Sequence, residues 1–481
     1  MATFTALETA KRGLMAQKFG LDVTSNNVNN VNTPGYSRRS AVLSETTPMK
    51  TSNGYVGTGA IADSLRTYRE EFFDKEIRKS VARQSGYATD QLIFERVESI
   101  LAEPSDMGIG EVVQDFLASF EEISNNPQDP NLREHVKEQS ITLVDRLHTT
   151  AEMLDNSRND VLRDMKTDTD KINQLLQNVA DLNKKVGNTK AASGVDAQTF
   201  VDQRENALEE LAKLVGASVT QDDLGQVNVY VNGVNVVTGP ITSKLELQQT
   251  VNSATGEQTA IIAKLDSKGK SMGAIVPTSG DMASRMKAYN SLLDPDDSSA
   301  DYSAYSKLNE YVDTLVKKIN TLSVGGYGLN DGGTTPPGRS FFEPSTGAAV
   351  TAHNIKINQD ILADSANIPL ADASGESGNN NVGLKIARLA NDKEFYNGMT
   401  HVEFYASVLG KVGSLSSESL TGKKTMDLVV KQLSSQRESL IGVDNDEEAV
   451  NLIKFQKAFE ASSRVLNISN EILSTLINLG R

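Results

Sequence analysis

Residues 446–479 read DEEAVNLIKFQKAFEASSRVLNISNEILSTLINL, and their apolar positions fall on one line. Leu452, Phe455, Phe459, Ser462, Leu466, Ser469, Leu473 and Leu476 alternate three and four residues apart, the spacing that keeps one seam of an α-helix turned toward a partner helix. Only two small serines interrupt it. The opposite end of the chain carries a second stripe, in which Leu7, Leu14, Leu21 and Val28 recur at sevens with Phe4 and Val31 on the same side. Each stripe is narrower than the face of a helix lying on a globular core, so each helix needs another helix. The two ends are therefore expected to pair as a coiled coil, within one chain or between copies. The plain alternative is that both stripes are ordinary bundle core.

At the end of the N-terminal stripe stands SNNVNNVNTPGYSRR, residues 25–39. Pro34 disfavours helix at Thr33 and presets φ for the second position of a turn, and Gly35 supplies the positive φ that a type II turn requires next. Thr33-Pro34-Gly35-Tyr36 is thus predicted to be a turn. Asn27, Asn30 and Asn32 can bond local backbone or neighbouring chains, which suits a helix end among polar partners.

That segment closely resembles the signature at the start of bacterial flagellar rod, hook and hook-associated proteins. A second resemblance lies at the other end, where Gly442 to Ala461 is similar to the G-V-x-x-D-E-E-x-x-N-L-x-x-[FY]-Q-x-[AY]-[FY]-x-A ending of the same axial proteins; Asn445 departs from it, standing where the family carries an apolar residue. Two motifs at opposite ends identify the chain as a member of that family. The middle resembles the helical region of the hook-associated junction proteins: Tyr68 to Asp74, Glu103-Pro104-Ser105-Asp106-Met107-Gly108-Ile109-Gly110, Phe116 to Phe120, Ser124-Asn125-Asn126-Pro127, Arg133, and the stretch from Ile172 to Asn183. A hook protein, the runner-up within the family, would turn to β structure soon after its first helix.

Composition narrows the class independently. With 481 residues and 38% apolar content the chain can bury a core, yet 5% aromatic residues and a mean hydropathy of −0.35 suggest elongated, multidomain packing. A net charge of −15 with no basic stripe argues against nucleic acid. There is no cysteine, hence neither disulfides nor thiolate metal sites. No unbroken apolar run marks a signal peptide or a membrane span. An extracellular destination would then need another route, and the resemblance implies flagellar type III export.

Periodicity predicts a mainly α fold with a β insertion. After Pro130 a proline-free helical pattern runs from Val136 to Val186, followed by a polar loop over 187–194 and a short helix over 199–216. Period-two alternation then takes over: Val227, Val229 and Val231, an Asn232-Gly233 turn, and Val234 and Val236 read as a β-hairpin, with further strands near Leu245, Leu247, Ile261, Ile262 and Leu265. Helices resume over 281–293, 305–322, 400–437 and 446–479. The expected division is 1–62 with 440–481 as a terminal coiled coil, 63–216 with 281–439 as a helical rod, and 217–280 as a β-rich outer part.

Some patterns mimic chemistry. Gly269-Lys270-Ser271-Met272-Gly273 matches G-x-S-x-G, which makes a secreted serine hydrolase using Ser271 the reading from another class, but a nucleophile elbow needs a strand before it and a helix after, and 274–277 reads as strand or loop. Gly57 to Ala62 fits G-x-G-x-x-A without a βαβ unit, so a hairpin turn explains it better. Asp294, Asp296 and Ser298, and likewise Asp444, Asp446 and Glu448, begin like calcium loops but lack the glycine at position six; helix caps are the expected role. His135, His148, His353 and His401 have no metal-ligand spacing and read as surface or core histidines. No catalytic residue, cofactor or metal is expected. The resemblance implies a structural protein of the hook–filament junction, outside the cell, partnered by copies of itself, the hook protein, a second hook-associated junction protein and an export chaperone, with no nucleic acid or membrane. The assembly residues would be Leu7, Leu14, Leu21, Asn27, Asn30, Asn32, Pro34, Gly35 and Tyr36 at one end, and Leu452, Phe455, Gln456, Phe459, Leu466, Leu473 and Leu476 at the other. Leu466 and Leu473 would also serve the chaperone.

Overall fold

A computed structural model describes residues 2–33, 35–51, 54–102, 108–193, 197–251, 258–266, 268–296, 302–347 and 349–479. Pro34, Ser298 and the stretch from Glu103 to Met107 lie outside the described residues. The chain is mainly α with a β insertion, as its periodicity predicts. Helix α1 (Ala2–Asn29) leads into a β-ribbon in which β1 (Arg39–Glu45) pairs antiparallel with β4 (Ala60–Thr67), tipped by the small hairpin of β2 (Met49–Thr51) and β3 (Gly54–Val56). The ribbon lies along α1, with Gly59 against Thr9. Because Arg39 pairs with Thr67 at the base of the ribbon, the limit expected after residue 62 falls inside a paired strand.

The body is built from α2 (Glu71–Leu101), α3 (Ile109–Ser124), α4 (Pro130–Ser193) and α5 (Gln198–Val215). At 1.5 Å per residue α4 is about 96 Å long. Its buried positions, among them Val136, Leu143, Leu147, Leu154, Val161, Met165 and Ile172, recur at threes and fours along its length. The polar loop expected over 187–194 is instead the end of this helix, which continues through Gly187 to Ser193. The reason is tertiary: a Cβ at Gly187 would fall on the side chain of Gln226, so the glycine is a packing site rather than a helix stop.

The insertion comes after α5. Strands β5 (Ser218–Gln221), β6 (Val227–Val231), β7 (Val234–Thr238) and β8 (Ile241–Thr242) form one sheet in that order; β9 (Leu245–Val251), β10 (Gln258–Leu265) and β11 (Ser271–Ile275) form a second, with β10 central. Asn232 and Gly233 both have positive φ, 45° and 79°, the signature of the tight turn read from the sequence. Asn183 of α4 keys the first sheet to the body: its Nδ2 donates to the carbonyls of Val227 (2.8 Å) and Gly239 (2.7 Å), and its Oδ1 accepts from Arg204 (3.0 Å).

Helix α6 (Asp281–Lys287) runs on as a π-turn (Ala288–Leu292) to α7 (Ala304–Ser323). Strands β12 (Phe342–Pro344) and β13 (Ile355–Ile357) pair, short helices α8 (Gln359–Ala363) and α9 (Asn381–Ala387) come next, and α10 (His401–Ile441) starts on a Thr400/Glu403 capping box. The limit expected after residue 439 falls in the last turn of α10. That helix runs antiparallel along α2, with the Tyr405 hydroxyl donating to the Leu101 carbonyl (2.6 Å) near one end and Gly422 against Tyr87 midway. Last comes α11 (Asn445–Leu479), which packs on α1.

Candidate assembly site

The seam between α1 and α11 is antiparallel: Gly13 faces Ser462 and Gly20 faces Phe455. On α11 Leu452, Phe455, Phe459, Ser462, Leu466 and Leu473 are half-buried and Ser469 is buried; the Leu476 side chain lies outside what is described, and Gln456 is exposed. On α1 the seam differs. Its most covered positions are Ala10, Gly20, Thr24 and Asn27, with Gly13 between them, and Ala16 is buried one heptad on from Thr9, on the line that meets the ribbon, while Leu7, Leu14, Leu21 and Val28 are only half-buried and stand beside the seam. A Cβ at Gly20 would come within 2.5 Å of the Phe455 ring. Small residues on α1 are thus what admit the large ones of α11, and the leucine row predicted to be the seam is its flank.

Where α1 ends, a polar node ties both ends to the body. The Tyr36 N–H donates to the Thr33 carbonyl (3.2 Å) and Gly35 has φ +75°, the bond and backbone of the predicted turn. Asn27 is buried with every polar valence used: Nδ2 donates to the Arg39 carbonyl (2.7 Å) and to Glu448 (3.1 Å), while Oδ1 accepts from the Tyr36 hydroxyl (2.8 Å) and the Arg39 N–H (3.2 Å). Burial pushes the Tyr36 hydroxyl above its usual pKa, keeping it a donor. Glu448 of α11, 2% exposed, also takes Arg38 (2.8 Å). Arg38 bonds Glu447 as well (2.9 Å), and those hydrogen bonds hold its guanidinium above the ordinary value. Asn30 bonds back to the Asn26 carbonyl, and Asn32 is exposed.

The same turn docks on α5. A Cβ on Gly35 would collide with the Asn206 side chain. Asp202, buried, accepts from Ser37 Oγ (2.9 Å), Arg39 (3.1 Å), Arg69 (3.2 Å) and Gln198 (2.9 Å). Arg69 reaches on to Asp74 (2.8 Å) and Glu205 (3.3 Å), Glu205 also pairs with Arg78, and Asp74 takes Arg437 of α10 (3.4 Å). One charged cluster therefore joins the turn, the ribbon, α2, α5 and α10, and Asn27, bonded to the Arg39 backbone and to Glu448, links it to α11. Sequence reasoning missed Arg69, Asp202, Glu205 and Asn206, because nothing in their spacing marks them.

The mimics resolve locally. Ser271 is exposed on β11, a strand hydrogen-bonded to β10, so the strand–turn–helix elbow is not what this segment builds. Asp444 caps α11, its Oδ1 accepting from the Asp446 and Glu447 N–H groups (2.9 and 3.3 Å). Buried Asp294 pairs with Arg158 (3.3 Å). His401 is fully buried between Tyr311 (3.3 Å) and Gln114 (3.2 Å), and desolvation lowers its pKa to about 4.

Residues 94–342, just over half of the chain, match the family of the flagellar hook-associated protein FlgK helical domain. The chain belongs to that family. Residues 7–36 match the flagella basal body rod protein family and 439–479 the C-terminal family of the flagellar basal body rod FlgEFG proteins. Flagellar hook-associated protein 1 of Bacillus subtilis (strain 168) is 26% identical over 506 residues, covering 99% of this chain and 98% of that protein. Its counterpart in Escherichia coli (strain K12) is 25% identical over 546 residues, covering 98% and 99%. The solved flagellar hook junction protein FlgK from Burkholderia pseudomallei has the same fold, with a TM-score of 0.62 at 13% identity over 76% of this chain and 100% of that one. The FlgK match spans the long helices that separate the junction proteins from a hook protein, and it decides for the former. The role that goes with the family is structural, at the junction of flagellar hook and filament. The relatives are structural flagellar proteins, and no described helix is long and apolar enough to cross a membrane.

Proposed function

We propose that the chain works purely mechanically, as the junction piece through which torque passes from hook to filament, without catalysis. The observation that carries this is the polar node. Asn27 and Glu448 hold the two ends together, and Asp202 holds the turn between them to α5, so a load on the paired helices reaches the body through buried, mutually bonded groups rather than through a free linker. In this reading residues 1–62 with 440–481 line the inner tube, 63–216 with 281–439 form the helical layer outside it, and 217–280 face outward. Copies pack head to tail into a ring between the hook protein and a second hook-associated junction protein. The chain reaches the outside of the cell unfolded through the flagellar type III system.

An apolar seam needs cover before assembly. Leu466 and Leu473, half-buried against α1 here, would meanwhile lie in the groove of an export chaperone, the usual way an amphipathic helix is shielded. Cells lacking the chain are expected to carry hooks without filaments, restored by the intact gene; filaments in its absence would refute the junction role. Leu466→Asp and Leu473→Asp each place a charge where a side chain worth about 1.5 to 3 kcal/mol should be buried, and should weaken chaperone pull-down. Undiminished pull-down with both would refute the chaperone role.

A further inference from the structure

The pairing of α1 with α11 leaves a row of aliphatic side chains bare. Val465 (50% exposed), Ile468 (54%) and Ile472 (47%) stand three and four residues apart on α11, off the seam that holds Leu466 and Ser469. This is the spacing of a second seam, so its natural partner is another helix. On α1 the row Leu7, Leu14 and Leu21 is incompletely covered, and Met15, 59% exposed, stands next to Leu14 in the chain.

Helix geometry places the two rows. At about 100° per residue, the leucine row is turned about 80° from the α1 seam in the sense of rising residue number, and the α11 row about 100° from its own seam in the opposite sense. The helices are antiparallel, so viewed along α1 both rotations are clockwise. The seams face each other, and rotations of the same sense and similar size from facing directions carry the rows to opposite flanks of the pair.

We propose that the Val465–Ile468–Ile472 row of one copy docks on the Leu7–Leu14–Leu21 row of a second copy. The inference rests on the assembly reading above and names the faces that meet. Both rows are continuous with the α1–α11 seam, being its neighbours on either side, so the intermolecular contact extends an interface the chain already makes. Opposite flanks make the contact heterologous: a copy that has docked its α11 row still offers its leucine row to the next, and copies add one after another instead of closing as pairs. A contact between two α11 rows would satisfy two copies and stop there.

The absence of cysteine from the chain makes the test direct. Flagella carrying Ile468→Cys combined, in one chain, with Leu7→Cys, Leu14→Cys or Leu21→Cys are oxidised and run without reductant. At least one combination should give a ladder of dimers, trimers and higher multimers, while each single-cysteine chain stays monomeric. Dimers from Ile468→Cys alone, or no ladder from any combination in cells that do grow filaments, would overturn the proposal while leaving the assembly reading intact. Gly13→Cys with Ser462→Cys should cross-link within a single chain in the same flagella. Failure of that control, together with failure of the unsubstituted chain to restore filaments, would instead bring down the assembly reading and this inference with it.

Discussion

In the body, Phe116, Phe120, Phe341 and Phe342 are at most 1% exposed, their neighbouring rings 4.9 to 5.8 Å apart. In the α1–α11 pair the well-covered positions are alanine, glycine, threonine, asparagine, serine and the Glu448 of the polar node, and the described leucines and phenylalanines are only half-buried. A fully buried aromatic or aliphatic side chain contributes about 1.5 to 3 kcal/mol, whereas ordering each residue's backbone costs about 1 to 2 kcal/mol. The body offsets that cost with many such side chains. The end pair has few, and its strongest internal ties are polar, at the node beside α5. A helix pair of this kind leaves apolar surface that neighbouring copies would cover in the assembly proposed above.

Hydrogen exchange would expose the difference most strongly. In the dilute monomer, amides around Leu14 and Phe459 should exchange faster than those around Val113 and Leu147 by several orders of magnitude, since local opening free energies range from near zero up to the global value. Equal protection would erase the distinction. Next in size, Phe116→Ala should cost about 3 to 5 kcal/mol and lower the main calorimetric transition, while Leu466→Ala should leave that transition nearly unmoved. Similar losses from both would mean that the ends are as much core as the body.

Gly35→Val probes the tie between the two regions. A β-branched side chain at φ +75° costs about 1 to 3 kcal/mol and here also meets Asn206. The body's melting should stay unchanged while exchange in α1 accelerates and junctions fail to form; normal motility would show that the turn does not need this conformation.

The smallest expected effect belongs to the body alone. His401 has a folded pKa lowered to about 4 by burial, against 6.5 in the unfolded chain. The unfolded chain therefore binds the proton first, and the His401 contribution to stability, whole above pH 6.5, is lost as pH falls toward 4. Burial also raises the pKa of Asp155 and Asp168, which opposes this trend. The difference between wild type and His401→Gln isolates the histidine: it should shrink across that window, and a constant difference would refute the assignment.

Where a local rule governs, sequence and structure agree. Asn232-Gly233 makes its hairpin because only residues tolerant of positive φ suit that turn, Gly35 takes φ +75° for the same reason, and α4 is long because no proline interrupts its buried stripe. The seam on α1 could not be read in this way. A hydrophobic pattern points to the largest apolar residues, and the leucines at sevens drew the stripe, yet the true contact line is made of small residues that carry no hydropathy signal. What selects Gly20 is the ring of Phe455, more than four hundred residues away in the chain.

Sequence alone determined the identity of the elements, the family and the fact that both ends seek helical partners, because helix period, turn chemistry and family motifs act over a few neighbouring residues. Only the tertiary structure decided which face of α1 meets α11, that Gly187 is a packing site inside a helix, and that Asp202, Glu205 and Arg69 form the joint. Close approach and charge pairing depend on distances between segments remote in the chain, and no pattern within a segment encodes those distances.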